Sequence, residues 1–184
     1  MNLPNKLSML RICLIPLFVA LALNGEFWAQ CAAAAIYVIA CVTDALDGHI
    51  ARSRHMVTNF GKLMDPIADK LLVMSALIVL VSQGRMPAWV CILLLAREFL
   101  ISGFRLVAVE SGRVIAAGTL GKLKTVFQMI ATLAILLLVP VEGAPLLGAA
   151  GEIVAQALMY VALILTVVSG ADYILRNRSC IDDA

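Results

Sequence analysis

The chain has 184 residues, of which 62% are hydrophobic and only 14% charged, and its mean hydropathy is +1.00. A soluble domain keeps about a quarter of its residues charged, so the composition excludes an ordinary water-soluble globule. With 14 Lys and Arg against 12 Asp and Glu there is no basic surplus for nucleic acid, and the length fits a single all-α domain integral to the membrane.

A helix that crosses a bilayer needs about 20 predominantly apolar residues. Six such stretches follow one another, at residues 7–23, 27–46, 60–82, 88–109, 120–139 and 152–175. The opening residues show no small-residue cleavage site after a short apolar core, so no cleaved leader is expected. Arg11 lies inside the first stretch, whose first turns are therefore expected along the membrane interface. Asn24-Gly25-Glu26, Gly84-Arg85-Met86-Pro87 and the segment from Pro140 to Gly151 break the apolar runs. The connections at 48–59 and 110–119 are polar and basic. Eleven of the 14 Lys and Arg fall at the N-terminus, in these two connections with their flanks, or in the C-terminal tail. Arg85 alone falls on the opposite side, and Lys70 and Arg97 lie within apolar stretches. The positive-inside rule then places both termini and both basic connections in the cytoplasm. Five cysteines, without C-x-x-C spacing, read as small packing residues.

Four of the 12 acidic residues gather where the second stretch ends and the third begins. Asp44 and Asp47 are three apart, and Asp65 and Asp69 four apart. On helices both spacings put the pair on one face. Antiparallel neighbours joined by a short cytoplasmic connection bring the pairs together as a four-carboxylate cage. Like charges at such range do not all stay ionised unaided. Hard divalent cations with oxygen ligands, Mg²⁺ or Mn²⁺ and as many as two, supply the compensation. Two such ions can clamp a phosphoryl group during displacement. Gly48 and Ala51 sit one turn apart and Gly61 faces them, so a flat ligand can lie against the backbone there. Arg52 can hold a phosphate through its planar fork. The blander account is a buried ion-pair network or acids solvated at the membrane edge. Four carboxylates with Gly and Arg at fixed offsets weigh against it.

The residues Asp44, Asp47, Gly48, Ala51, Arg52, Gly61, Asp65 and Asp69 fit the pattern D-x-x-D-G-x-x-A-R-x8-G-x3-D-x3-D. By this pattern the chain resembles the CDP-alcohol phosphotransferases. The resemblance implies a dimeric six-helix membrane fold with a site facing the cytoplasm. It implies that Asp44, Asp47 and Asp65 bind a dinuclear metal centre, and that Asp69 contacts a metal and accepts a proton. It implies that Gly48, Arg52 and Thr58 hold the cytidine nucleotide. Three further stretches, at 2–8, 96–105 and 121–125, are similar to one bacterial branch of the family. That branch transfers the phosphatidyl group of CDP-diacylglycerol to glycerol 3-phosphate, in the inner membrane.

On the acceptor side, Arg97 lies near the middle of the fourth stretch, where a charge costs at least about 2.5–3.5 kcal/mol. Glu98 is about 100° away around a helix and is expected to be a poor direct partner. Arg105 lies two turns from Arg97 on nearly the same face, with Ser102 between them. Lys122 and Lys124 enter from the next connection. Together they read as a pocket for the phosphate of glycerol 3-phosphate; the alternative is pairing with Glu98, Glu110 and lipid head groups. Basic residues here favour a phosphorylated acceptor over serine or choline; inositol phosphate and phosphatidylglycerol are the other acceptors the signature allows. A divalent-cation transporter is a rival from another class, but no chain of acids continues to the opposite side.

Overall fold

The computed structural model describes residues 3–53, 59–110, 118–139 and 147–177, with residues 3–8, 44–53, 59–66, 69 and 110 described through their backbone alone. Six helices account for nearly all of these: α1 (Leu3–Leu23), α2 (Phe27–Ser53), α3 (Asn59–Ser82), α4 (Ala88–Glu110), α5 (Thr119–Leu138) and α6 (Gly148–Asn177). All six expected stretches are helical. The largest difference is in α2, which continues seven residues past the apolar run. The helix does not stop where hydrophobicity does, because Ala51 and the polar residues around it keep ordinary helical propensity. Similarly, α6 begins at Gly148, inside the segment expected to be a turn.

α1 packs on both α2 and α3, while α5 packs most extensively on α6, which also meets α4. The faces turned inward carry mainly small residues. On α2 they are Ala33, Tyr37 and Ala40, and on α6 Ala155, Met159 and Ala162, all at helical spacing. Small side chains let helix backbones approach closely and gain dispersion contacts. Larger residues such as Phe18, Leu72, Leu80 and Ile135 fill the spaces between. Outward faces reverse the pattern, with Ile92, Leu100, Leu106, Ile153, Ile164 and Leu175 exposed. Such a surface is costly in water and neutral in hydrocarbon. Of the described helices, α5 and α6 are each long and apolar enough to cross a membrane by length and composition.

Arg11 is only 2% exposed, within a continuous α1 that packs along both carboxylate-bearing helices, so a guanidinium too polar for lipid is turned toward the bundle.

At the end of the bundle remote from the aspartates, a hydrogen-bonded clasp joins the turns. α3 ends in Gly84, whose φ of 68° is strained for any residue with a side chain. The Arg85 N–H reaches back to the Leu80 carbonyl at 2.9 Å and the Gly84 N–H to Val81 at 3.0 Å, which is the Schellman arrangement. This aims Arg85 inward, leaving it 5% exposed. Its guanidinium donates to Gln30 Oε1 at 3.0 Å, to Gln83 Oε1 at 3.0 Å and to the Ile135 carbonyl. Gln30 and Gln83 in turn both donate to the Ala22 carbonyl. One cation thus gathers the C-terminal carbonyls of α1 and α5, where helix dipoles favour positive charge. Burial pulls its pKa down to about 10, so it stays charged at neutral pH. Replacing Arg85 with Met removes the donor to the Gln30 and Gln83 side-chain oxygens and to the Ile135 carbonyl, which keeps only its bond from the Val139 N–H, and should cost about 1.5–3 kcal/mol of stability. Thermal unfolding in detergent reads this, and an unchanged midpoint would show that the clasp holds nothing.

Candidate active site

Five residues separate α2 from α3. Asp47 lies six residues before the end of α2, and Asp65 six residues after the start of α3. Asp44 and Asp69 lie nine and ten residues from the same ends, or about 13–15 Å along each axis. In antiparallel helices sharing one partner, α1, the two pairs therefore stand at matched levels. Gly48, Ala51 and Arg52 occupy the last turns of α2, and Gly61 the first turn of α3. Thr58 lies outside the described residues, as do the side chains of the four aspartates, Gly48, Ala51, Arg52 and Gly61. As a donor set, four carboxylates offer hard oxygen ligands, which fit Mg²⁺ or Mn²⁺.

Immediately beside Asp69 in the sequence, Lys70 opens onto a cleft of about 750 Å³ between α3, α4 and α5. Arg97, Arg105, Lys122 and Lys124 all line it, so the structure brings together the four basic residues that the sequence nominates. Lys70 is a fifth cation, and Glu98 is the one acid among the described lining residues. Lys70 Nζ lies 2.5 Å from Ser102 Oγ, whose hydroxyl donates to the Glu98 carbonyl at 2.7 Å. Ser102 thus accepts from Lys70 while satisfying its own proton locally. As a charged residue within an apolar stretch, Lys70 carried a usable signal in the sequence, but nothing linked it to the arginines.

The two lysines of α5 have different circumstances. Lys122 is exposed on the cleft rim. Lys124 is 3% exposed and forms an ion pair with Glu98, with Gln128 Oε1 at 3.4 Å. Glu98 also reaches Arg97 Nη1 at 3.7 Å, contrary to the expectation of poor contact between neighbours. Both side chains are long enough to bend toward one another across the helix surface. The Glu98–Lys124 pair stands where the cleft meets a smaller apolar pocket of about 240 Å³, walled by Cys41, Val73, Met74, Leu95, Phe99 and Met129.

Arg97 and Arg105 are held chiefly from α6. Arg97 Nη2 donates to Ser169 Oγ at 3.1 Å. Arg105 Nε donates to the Tyr173 hydroxyl at 3.3 Å, and its guanidinium lies 5.6 Å from the Tyr173 ring centroid. No pattern in α6 marks these residues in the sequence, since a Ser, a Gly and a Tyr in an apolar helix are unremarkable.

Against this geometry, comparison with known proteins is decisive. The family model for CDP-alcohol phosphatidyltransferase matches residues 1–168. The chain belongs to the CDP-alcohol phosphatidyltransferase family. It is 43% identical over 192 residues to the CDP-diacylglycerol–glycerol-3-phosphate 3-phosphatidyltransferase of Bacillus subtilis (strain 168), covering 96% of this chain and 95% of the relative. The protein of the same name from Rickettsia typhi is 39% identical, with 94% of each chain covered. That of Shigella flexneri serotype 5b is 38% identical, with 97% and 96% covered. The similarity therefore extends through α5 and α6, beyond the stretches that carry the resemblance in the sequence.

The contrast between the lysines is measurable. Lys124→Ala leaves Glu98 without its main partner; Glu98 is 25% exposed, so solvent moderates the loss, and about 1–3 kcal/mol of stability should go. Lys122→Ala should leave the unfolding midpoint unchanged. Equal shifts in the two variants would contradict the structural role of Lys124.

Proposed function

We propose that this protein transfers the phosphatidyl group of CDP-diacylglycerol to the C1 hydroxyl of sn-glycerol 3-phosphate, giving phosphatidylglycerophosphate and CMP. One observation carries the reading: a basic cleft, sized for a small anionic acceptor, begins at Lys70, the residue after the last aspartate of the family signature. The names of the relatives agree with it. Five cations against one acid among the cleft's described lining residues favour a phosphorylated acceptor.

In this reading the nucleotide lies against Gly48, Ala51 and Gly61, with Arg52 and Thr58 holding its polar groups. Its acyl chains stay in the bilayer. Arg97, Arg105 and Lys122 hold the acceptor's phosphate, and Lys70 stands between them and Asp69. Asp69 takes the proton of the C1 hydroxyl. The oxygen so freed attacks the phosphorus that bears diacylglycerol, a new P–O bond forms, and the P–O bond to CMP breaks. Positioning of this kind converts an encounter in solution into an oriented reaction. Asp44, Asp47, Asp65 and Asp69 would hold Mg²⁺ or Mn²⁺, which supplies neutralising charge to the pyrophosphate and the leaving group.

The same reading makes all six helices transmembrane, with both termini and the site in the cytoplasm of a bacterial cell and the protein in the inner membrane. The apolar outer faces and the sorting of Lys and Arg to one end of the bundle support this. Resemblance to the family supports a homodimer.

Purified protein in detergent, given CDP-diacylglycerol and a panel of alcohols, should release CMP fastest with glycerol 3-phosphate. Faster release with serine, choline or inositol phosphate would replace the proposed acceptor. Metal flux into liposomes without lipid substrate would support transport instead. EDTA should stop the reaction and Mg²⁺ or Mn²⁺ restore it. Asp69→Asn should lower kcat by at least about 10²–10⁴-fold while CDP-diacylglycerol still binds; retained turnover would remove Asp69 from the base role.

A further inference from the structure

The arginines of the cleft share one helix, two turns apart, and carry like charge. Among the described residues of α4, Glu98 is the one acid near them, and it lies 3.7 Å from Arg97 and pairs more closely with Lys124. Their positions are instead imposed from α6, through three residues on one face. Ser169 is buried, and its hydroxyl donates to the Thr166 carbonyl at 3.2 Å. That bond commits its proton and leaves a lone pair for Arg97 Nη2. Gly170 lies directly beneath the Arg97 stem. A Cβ there would sit 3.1 Å from Arg97 Cγ and 3.6 Å from Nε, so a side chain would press on the arginine stem and require it to shift by a few tenths of an ångström. Tyr173, one turn further, accepts from Arg105 Nε and also lies within cation–π reach of the guanidinium. Its ring is fixed in turn by the edge-on contact with Phe104, 5.7 Å between centroids at 78°.

We propose that Ser169, Gly170 and Tyr173 are positioning residues that set the spacing and orientation of Arg97 and Arg105, and thereby select acceptors by the reach between their phosphate and their reacting hydroxyl. The proposal rests on the reading that the cleft takes a phosphorylated acceptor. Two guanidiniums held rigidly form a fixed fork for one phosphate monoester. If either moves, the phosphate settles elsewhere and the hydroxyl no longer meets its base. An acceptor of different length then competes better, while the lipid substrate, bound at the α2–α3 end, is unaffected.

The experiment measures CMP release by the full chain in detergent, with CDP-diacylglycerol and either glycerol 3-phosphate or the shorter 2-hydroxyethyl phosphate. Tyr173→Phe keeps the ring and removes the hydroxyl, and Ser169→Ala removes the acceptor for Arg97. Each should raise the KM for glycerol 3-phosphate on the order of tenfold, the equivalent of one lost charged hydrogen bond. The KM for CDP-diacylglycerol should stay within about twofold. Ser169→Thr, which keeps the hydroxyl, should restore most of the loss. Gly170→Ala removes no hydrogen-bonding group, yet should reduce the preference for glycerol 3-phosphate over 2-hydroxyethyl phosphate. If the wild-type protein uses glycerol 3-phosphate but these variants change neither KM nor preference, or change both substrates' KM equally, the clamp is overturned and the proposed function stands. If the wild-type protein uses only unphosphorylated alcohols, both fall.

Discussion

Charge inside an apolar helical bundle has to be held by groups on other helices, and this requirement organises the molecule from end to end. Water is not there to solvate a guanidinium or ammonium, so each needs acceptors that the fold itself brings. Arg85 finds amide and carbonyl oxygens from three other parts of the chain. Lys124 finds Glu98 across α4 and α5, and Arg97 and Arg105 find a hydroxyl each on α6. These contacts tie helices whose remaining contacts are mostly those of small residues, and they do so at defined places. In lipid, where hydrophobic burial between helices is weak, directional polar contacts and close packing carry proportionally more of the specificity.

The arrangement also divides labour. The aspartates stand where α2 and α3 meet the polar connection, and the basic cleft stands against α4, α5 and α6. α3 belongs to both, through the adjacent residues Asp69 and Lys70. The Glu98–Lys124 pair lines both the cleft and the smaller pocket beside it, as Lys70 and Thr125 do.

Much of this was legible in the sequence. Apolar length gave the six helices, because a segment's solvation is decided by its own residues. The spacing of Asp44, Asp47, Asp65 and Asp69 put each pair on one helix beside a short connection, and the backbone sets the two pairs at matched distances from that connection, because helical periodicity and a short connection are local facts. Arg97 and Arg105 were noticeable because a charge in an apolar run demands an explanation. What the sequence could not supply were partners chosen by tertiary packing. Ser169, Gly170 and Tyr173 lie 72, 73 and 68 residues from the arginines they touch, and none is unusual where it stands. The pairing of Lys124 with Glu98, present in the sequence reading only as an alternative to the phosphate pocket, depends on the rotation of α5 against α4, which no periodicity determines. The burial of Arg11 was hidden for the same reason, since it depends on two helices that pack along α1.

The clasp around Arg85 has a bearing on how the chain is assembled. Its acceptors on Gln30 and Gln83 exist once the first three helices and their turns have been made, but the Ile135 carbonyl lies 50 residues further on. A ribosome extending this chain thus delivers the guanidinium long before the last oxygen that receives it. The guanidinium's set of acceptors is therefore complete only once α5 has joined the bundle.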